Sequence, residues 1–191
     1  MTDEQFFALL RSRQQQLQQL FQRKLPIMVG VMAKSHFQDN FRLGGFVNNG
    51  LQQWTPAKRT LSGGSSAADN YGTLLSSRNH LFSSIYYRPG SGFVTIGTSV
   101  PYARLHNFGG TIHPSVTPRM RSFAWAMYYR NGGGKGKNAP PDAEKWKALA
   151  LTRKQKLNIR IPQRQFIGDS QELSLAIGHK IKSELANLFT Q

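Results

Sequence analysis

LFSSIYYRPGSGFVTIGT, residues 81–98, is the stretch that decides the fold. Leu81–Tyr87 and Phe93–Ile96 are rich in aromatic and β-branched residues, and Arg88-Pro89-Gly90-Ser91-Gly92 between them is turn chemistry. The pattern predicts a β-hairpin. Downstream, Gly109-Gly110 marks a further turn and Ile112–Val116 is expected to start another strand. Phe123–Tyr129 fits helix or strand, Asn131–Pro141 reads as a Gly/Pro-rich flexible loop, and Trp146–Leu151 as a short helix. Leu157, Ile159 and Ile161 alternate with Asn158 and Arg160, as a strand requires. Leu173, Ile177, Ile181, Leu185 and Leu188 then define a C-terminal amphipathic helix, with Asp169 or Ser170 as its N-cap.

Upstream of the hairpin, residues 46–72 read as polar loop, with Asn48-Asn49-Gly50 and Ser62-Gly63-Gly64-Ser65-Ser66 on either side of Trp54. Trp54 is expected to anchor this segment on the core. Phe6, Leu10, Leu17, Leu20 and Phe21 recur at helical spacings. Pro26 suits the first turn of a second helix, where its missing N–H costs nothing. Val29, Ala33, Phe37 and Phe41 form that helix's stripe, and Gly44-Gly45 ends it. The two stripes either pack on the body of the protein or dock on a neighbouring subunit. The expected fold is α+β: a small, mostly antiparallel sheet flanked by an N-terminal helical arm (1–45) and a C-terminal helix. Residues 46–191 would form the α+β domain, carrying a basic insertion around 119–156.

The chain has 191 residues, enough for one core, and 39% of them are hydrophobic, including 12 Phe and 3 Trp, which argues against disorder. Its longest apolar-or-glycine run, Ile27–Ala33, is far shorter than a membrane span. The start, Met1-Thr2-Asp3-Glu4, lacks the basic-then-apolar order of a secretory signal. With no cysteine there is no disulfide framework, thiolate zinc site or cysteine nucleophile. The net charge of +16 favours a polyanionic neighbour. It is concentrated: residues 119–164 hold twelve Lys and Arg against Asp142 and Glu144, which is +10 of the +16. Between Asn70 and Pro141 there is no carboxylate at all.

That distribution bears on catalysis. Gly132-Gly133-Gly134-Lys135-Gly136-Lys137-Asn138 fails as a P-loop, because Asn131 stands where the first glycine belongs and Asn138 where a magnesium-holding Ser or Thr belongs. His80, His106 and His113 match no metal-ligand spacing and have no carboxylate nearby in sequence. No Gly-x-Ser-x-Gly elbow exists, and the carboxylate-free stretch leaves no acid to orient a Ser/His pair. The expectation is a non-enzymatic protein with no metal and no cofactor.

An ordered set of short motifs carries more. Leu74-Leu75-Ser76-Ser77, Leu81-x-x-Ser84-Ile85, Val94-x-Ile96-Gly97-Thr98, Tyr102-Ala103-x-x-His106-x-x-Gly109-Gly110 and Ile161-Pro162-x-Arg164-x-Phe166-Ile167-Gly168 follow Trp54 in that sequence. Together they resemble the phage virion morphogenesis family, the tail completion proteins of Mu-like and related tailed phages, over roughly residues 46–190. Four departures stand out, the first being an insertion from Met120 to Lys156 that is longer than in the family's compact members. Arg78-Asn79 replaces a Thr-Gly or Ser-Gly turn, though Asn also adopts the left-handed conformation. Asn107 follows His106 where the family often has Gln, and Arg164-Gln165-Phe166 replaces Arg-Pro-Phe.

The resemblance implies a structural virion component at the head-proximal tail end or neck, assembled in the host cytoplasm. It implies a homo-oligomeric ring, a hexamer or dodecamer, contacting phage neck, tail tube or terminator proteins, with no membrane. Within it Trp54, Gly97, Tyr102, His106, Gly109, Gly110, Arg164 and Phe166 take structural roles. Gly97, Gly109 and Gly110 would allow turns or close approach. Tyr102 and His106 would brace a loop by packing and hydrogen bonding. Phe166 would be buried, with the Arg164 guanidinium bridging to a carbonyl or carboxylate. Arg153, Lys154, Lys156 and Arg160 are the candidate contacts to packaged DNA or an acidic partner. The alternative, from charge alone, is a basic DNA- or RNA-binding protein, although no recognition-helix or RNA-binding sheet motif is present.

Overall fold

The computed structural model describes residues 2–57, 60, 71–134 and 139–190. The expected loop at Ser62–Ser66, and Lys135 and Lys137 of the Gly-rich loop, lie outside them. Contacts group the chain into one unit of residues 1–109 with 162–191 and a second of residues 110–161.

The first unit opens on α1 (Asp3–Gln19), started by a capping box: the Thr2 hydroxyl accepts from the Gln5 amide, and the Thr2 amide donates to the Gln5 side chain. The chain does not break at Pro26. A π turn, Leu20–Lys24, joins α1 directly to α2 (Leu25–Leu43), so the two expected helices form one continuous run. Proline has no N–H for the carbonyl four residues back, and a π turn accommodates that loss without ending the helix. The Gln22 carbonyl accepts instead from Gly92 N, at 3.4 Å. α2 ends where expected, at Gly44 in the left-handed conformation (φ 68°).

The two stripes have different fates. Ala33, Phe37 and Phe41 of α2 are buried in the core with Trp54, Leu81, Ile85 and Phe166, whereas α1 has no buried residue. The Phe41 ring lies 5.0 Å from that of Phe166 and 5.6 Å, edge-on, from that of Trp54. Each such fully buried aromatic contributes about 1.5–3 kcal/mol by removal from water. The stripe-on-body expectation therefore holds for α2, and in the first stripe only at its C-terminal end, where Leu20 is buried and Leu17 half-buried while Phe6, Leu10 and Phe21 are exposed.

Among the described residues strand pairing is antiparallel, in an α+β fold, and it makes three two-stranded ladders rather than one small sheet. β1 (Gly45–Val47) and β2 (Leu51–Gln53) turn at Asn48-Asn49-Gly50, within the segment expected to be loop. β3 (Ile85–Pro89) and β4 (Val94–Thr98) form the expected hairpin, with Tyr86 opposite Gly97. The hairpin rests on α2, where a side chain at Gly30 would collide with the Tyr87 ring. Packing on a helix lets so small a ladder stand without further strands.

The first run is shorter than expected, because His80–Ser83 is a helical turn, α3. Asn79 enters it in the left-handed conformation (φ 44°), and the Ser83 and Ser84 hydroxyls donate back to carbonyls of the turn. That local hydrogen bonding competes with a ladder. The C-terminal helix, α7 (Gln171–Thr190), is capped by Ser170, whose hydroxyl accepts from Leu173 N.

In the second unit β5 (Gly110–Ile112) pairs with β6 (Ile159–Ile161), Thr111 opposite Arg160. Pairing was expected at Ile112–Val116. Pro114 has no amide to give, so the ladder thins after Ile112 to a single bridge, Ser115 to Lys156. Phe123–Tyr129 lies on α5 (Pro118–Arg130), capped by Thr117, and α6 is Pro141–Ala150. Buried Ala124, Ala143 and Ala150 let the two helices approach closely, and Phe123 meets Trp146 edge-on.

Candidate functional site

The motif residues converge on α4 (Ala103–Phe108) and on the irregular segment 162–168 that returns beside it. α4 presents Asn107 inward. Its Oδ1 accepts from both Phe166 N (2.9 Å) and Ile167 N (3.0 Å), and its Nδ2 donates to Ile167 O (3.0 Å). From the opposite side Asn40 of α2 does the same kind of work. Its Nδ2 donates to Phe166 O (3.1 Å) and its Oδ1 accepts from Val47 N (3.1 Å). Two buried amides thus satisfy a backbone segment that has no ladder of its own, which a buried segment must achieve somehow.

Phe166 is held between them in the core, and Trp54 closes the same bracket, its indole N–H donating to Gln165 O at 2.7 Å. The Arg164 guanidinium bridges two carbonyls, Thr55 O (2.9 Å) and Pro56 O (3.2 Å), while its backbone N–H donates to His106 O. Gly109 makes the arrangement possible. It lies at φ 70°, and a Cβ there would stand 2.8 Å from Gln163 N. Gly97 takes the Tyr86 hydroxyl at close range, and Gly110 begins β5.

Tyr102 and His106 pack edge-on, ring centroids 5.8 Å apart. The bracing hydrogen bond between their side chains does not form: the Tyr102 hydroxyl bonds His80 Nδ1 instead, at 3.2 Å. His106 Nδ1 is buried with no hydrogen-bond partner among the described residues. Burial, and then the Arg164 charge, push the His106 pKa down from its ordinary value, so its imidazole is neutral at pH 7.

These groups line a cleft of about 240 Å³ with Leu75 and Ser76. Among the described residues no carboxylate lines it. Among the described residues no group of three or more His, Asp or Glu could hold a metal ion. The chemistry the site does supply is backbone satisfaction.

A model of the phage virion morphogenesis family matches residues 29–186. The chain belongs to that family. No curated protein and no solved structure matches it. The match spans the whole bracket, from Asn40 to Phe166, and all of the second unit, and it leaves α1, the π turn and the first residues of α2 outside. Membership places the protein in the assembly of the phage particle. Among the described residues no helix is long and apolar enough to cross a membrane.

In this virion morphogenesis protein the charge is gathered in the second unit, where eleven Lys and Arg face two carboxylates, +9 of the +16. Both carboxylates already hold a lysine, Asp142 with Lys145 (2.8 Å) and Glu144 with Lys147 (3.5 Å). Arg153, Lys154, Lys156 and Arg160 are all exposed, on the segment leading into β6 and on β6 itself. Arg121 is committed elsewhere, donating to the carbonyls of Ala150 and Thr152 at the end of α6.

Sequence reasoning missed the two asparagines and two carboxylates. Glu172 accepts from Gly50 N (2.7 Å) and Asn49 N (3.2 Å), which holds its carboxyl below the usual range. Glu184 is paired with Lys24 (2.7 Å) and Lys180 (2.9 Å), and those bonds lower its pKa too. A polar residue on an otherwise apolar stripe was the available signal: Asn40 follows Ala33 and Phe37 at helical spacing.

Proposed function

We propose that this protein is a non-enzymatic tail completion or neck component, a homo-oligomeric ring of six or twelve copies that joins the head connector to the tail tube or terminator proteins. The observation that carries the reading is the family match over residues 29–186. The open apolar face of α1 supports it, since contiguous exposed apolar surface marks an interaction site. In this reading the protein assembles in the host cytoplasm and ends in the virion. Arg153, Lys154, Lys156 and Arg160 then face packaged DNA or an acidic ring neighbour.

The concentration of charge in residues 110–161 favours a second reading, a DNA- or RNA-binding protein. Two measurements on the purified chain separate them: mass photometry over a concentration series, and duplex binding titrated with salt. The ring reading expects one discrete oligomer and duplex binding with a shallow salt slope. A protein that stays a single chain and binds duplex with a steep slope, close to one unit per neutralised phosphate, overturns it in favour of the second.

A further inference from the structure

α1 carries two features that fit one another but cannot meet within one chain. Near its start, Phe6, Phe7, Leu9 and Leu10 are exposed, and Asp3 shares a face with Phe7 and Leu10 at steps of four and three. Asp3 and Glu4 have no ion pair among the described residues. The other feature is a groove of about 740 Å³ where the end of α1 and the π turn run beside the end of α7. Leu20, Ile27 and Leu188 give it an apolar floor, and Arg23 and Lys24 stand on its rim. Lys24 is held by Glu184, whereas Arg23 is exposed with no ion pair among the described residues. The groove is itself fastened, by that ion pair and by Arg13 donating to Leu188 O at 2.7 Å.

We infer that the acidic, apolar start of α1 docks in this groove on a second copy of the chain. The charges are complementary: an acidic first turn, favoured in any case by the helix dipole, meets a basic rim with an unpaired arginine. The occupant has to be another copy. Phe7 and Leu20 stand on one continuous helical run, about 20 Å apart along its axis, so the segment cannot fold back into its own groove. Two different surfaces meeting head to tail make a heterologous contact, the kind that closes into a ring when the rotation allows. The inference rests on the ring reading and names the surface that would build it, a surface that lies, Glu184 apart, outside the residues the family model matches.

The test is mass photometry of the full chain and four variants over a concentration series, with circular dichroism to confirm unchanged helix content. Phe7→Asp/Leu10→Asp should leave single chains at concentrations where the parent protein is assembled. Arg23→Glu and Asp3→Lys/Glu4→Lys should each raise the assembly midpoint about tenfold, and their combination should return it to within about threefold of the parent. If the parent assembles and Phe7→Asp/Leu10→Asp assembles equally well, this surface is wrong and the ring reading stands. If the charge variants each weaken assembly and their combination does not recover it, the acidic end docks elsewhere and the groove is overturned. If the parent is a single chain at every concentration, the ring reading falls and the inference with it.

Discussion

Phe7 and Phe41 stand on the same uninterrupted helical run, yet Phe7 is 57% exposed and Phe41 1%. Phe7 keeps helical spacing with Leu10 as Phe41 does with Phe37, so the pattern alone does not tell them apart. What differs is the surroundings. α2 meets a hairpin, the Trp54 segment and the returning Phe166 segment, while α1 is held by its own capping box, by Arg13 and by continuity with α2. An isolated helix of 17 residues is marginal in water. The helix is thus continuous in hydrogen bonding and discontinuous in what stabilises it. The boundary between the regimes falls at the π turn, close to where the family match begins at residue 29.

The largest effect expected is at the buried end. Phe41→Ala removes a ring that touches Phe166, Trp54 and Phe82, and it should cost about 3–5 kcal/mol in denaturant unfolding. A loss below about 1 kcal/mol would mean that the α2 side of the comparison is wrong.

Asn40→Ala comes next. It strips partners from Phe166 O and Val47 N and leaves a gap where a fully buried side chain stood, with an expected cost of about 2–3 kcal/mol. Urea unfolding measures this, and Asn40→Asp supplies a sharper readout. The aspartate keeps the acceptor for Val47 N but places a carboxylate oxygen against Phe166 O, so its stability should improve as the pH falls far enough to protonate it. A flat pH response would argue against the bracket.

Much of this was legible in the sequence and some was not, for physical reasons. The hairpin at 85–98 and the start of α7 follow from local chemistry, and local chemistry was enough. So was the left-handed Asn79. Trp54 was expected as an anchor on the core, and the resemblance implied a buried Phe166 with Arg164 bridging to a carbonyl or carboxylate; Phe166 and Trp54 are in the core and Arg164 does bridge carbonyls. The π turn was not legible, because Pro26 signals a helix start, and only the wider turn and a distant donor, Gly92 N, let the helix continue. Ile112–Val116 held only in part, because Pro114 has no amide to give the ladder beyond Ile112. The Tyr102–His106 hydrogen bond failed because His80, 22 residues earlier, takes the hydroxyl. The asparagine bracket needed a partner segment 126 residues away from Asn40, and no local pattern reports that.

The smallest effect completes the comparison. Phe7→Ala repeats the chemistry of Phe41→Ala at the other end of the run, where the side chain leaves no cavity because it fills none. Alanine is the better helix former by about half a kcal/mol. Against that gain stands the edge-on packing of Phe7 with Phe6, which is exposed to water and therefore weak. The net change in unfolding free energy should lie within about 0.5 kcal/mol of zero when the protein is dilute enough to be a single chain. At concentrations where copies assemble, the same substitution should lower the thermal midpoint, since a folded-state partner stabilises by mass action and the variant forfeits it. A loss of several kcal/mol in the dilute chain would show that α1 packs on its own body after all. A midpoint difference that ignores concentration would show that α1's exposed face meets no second copy.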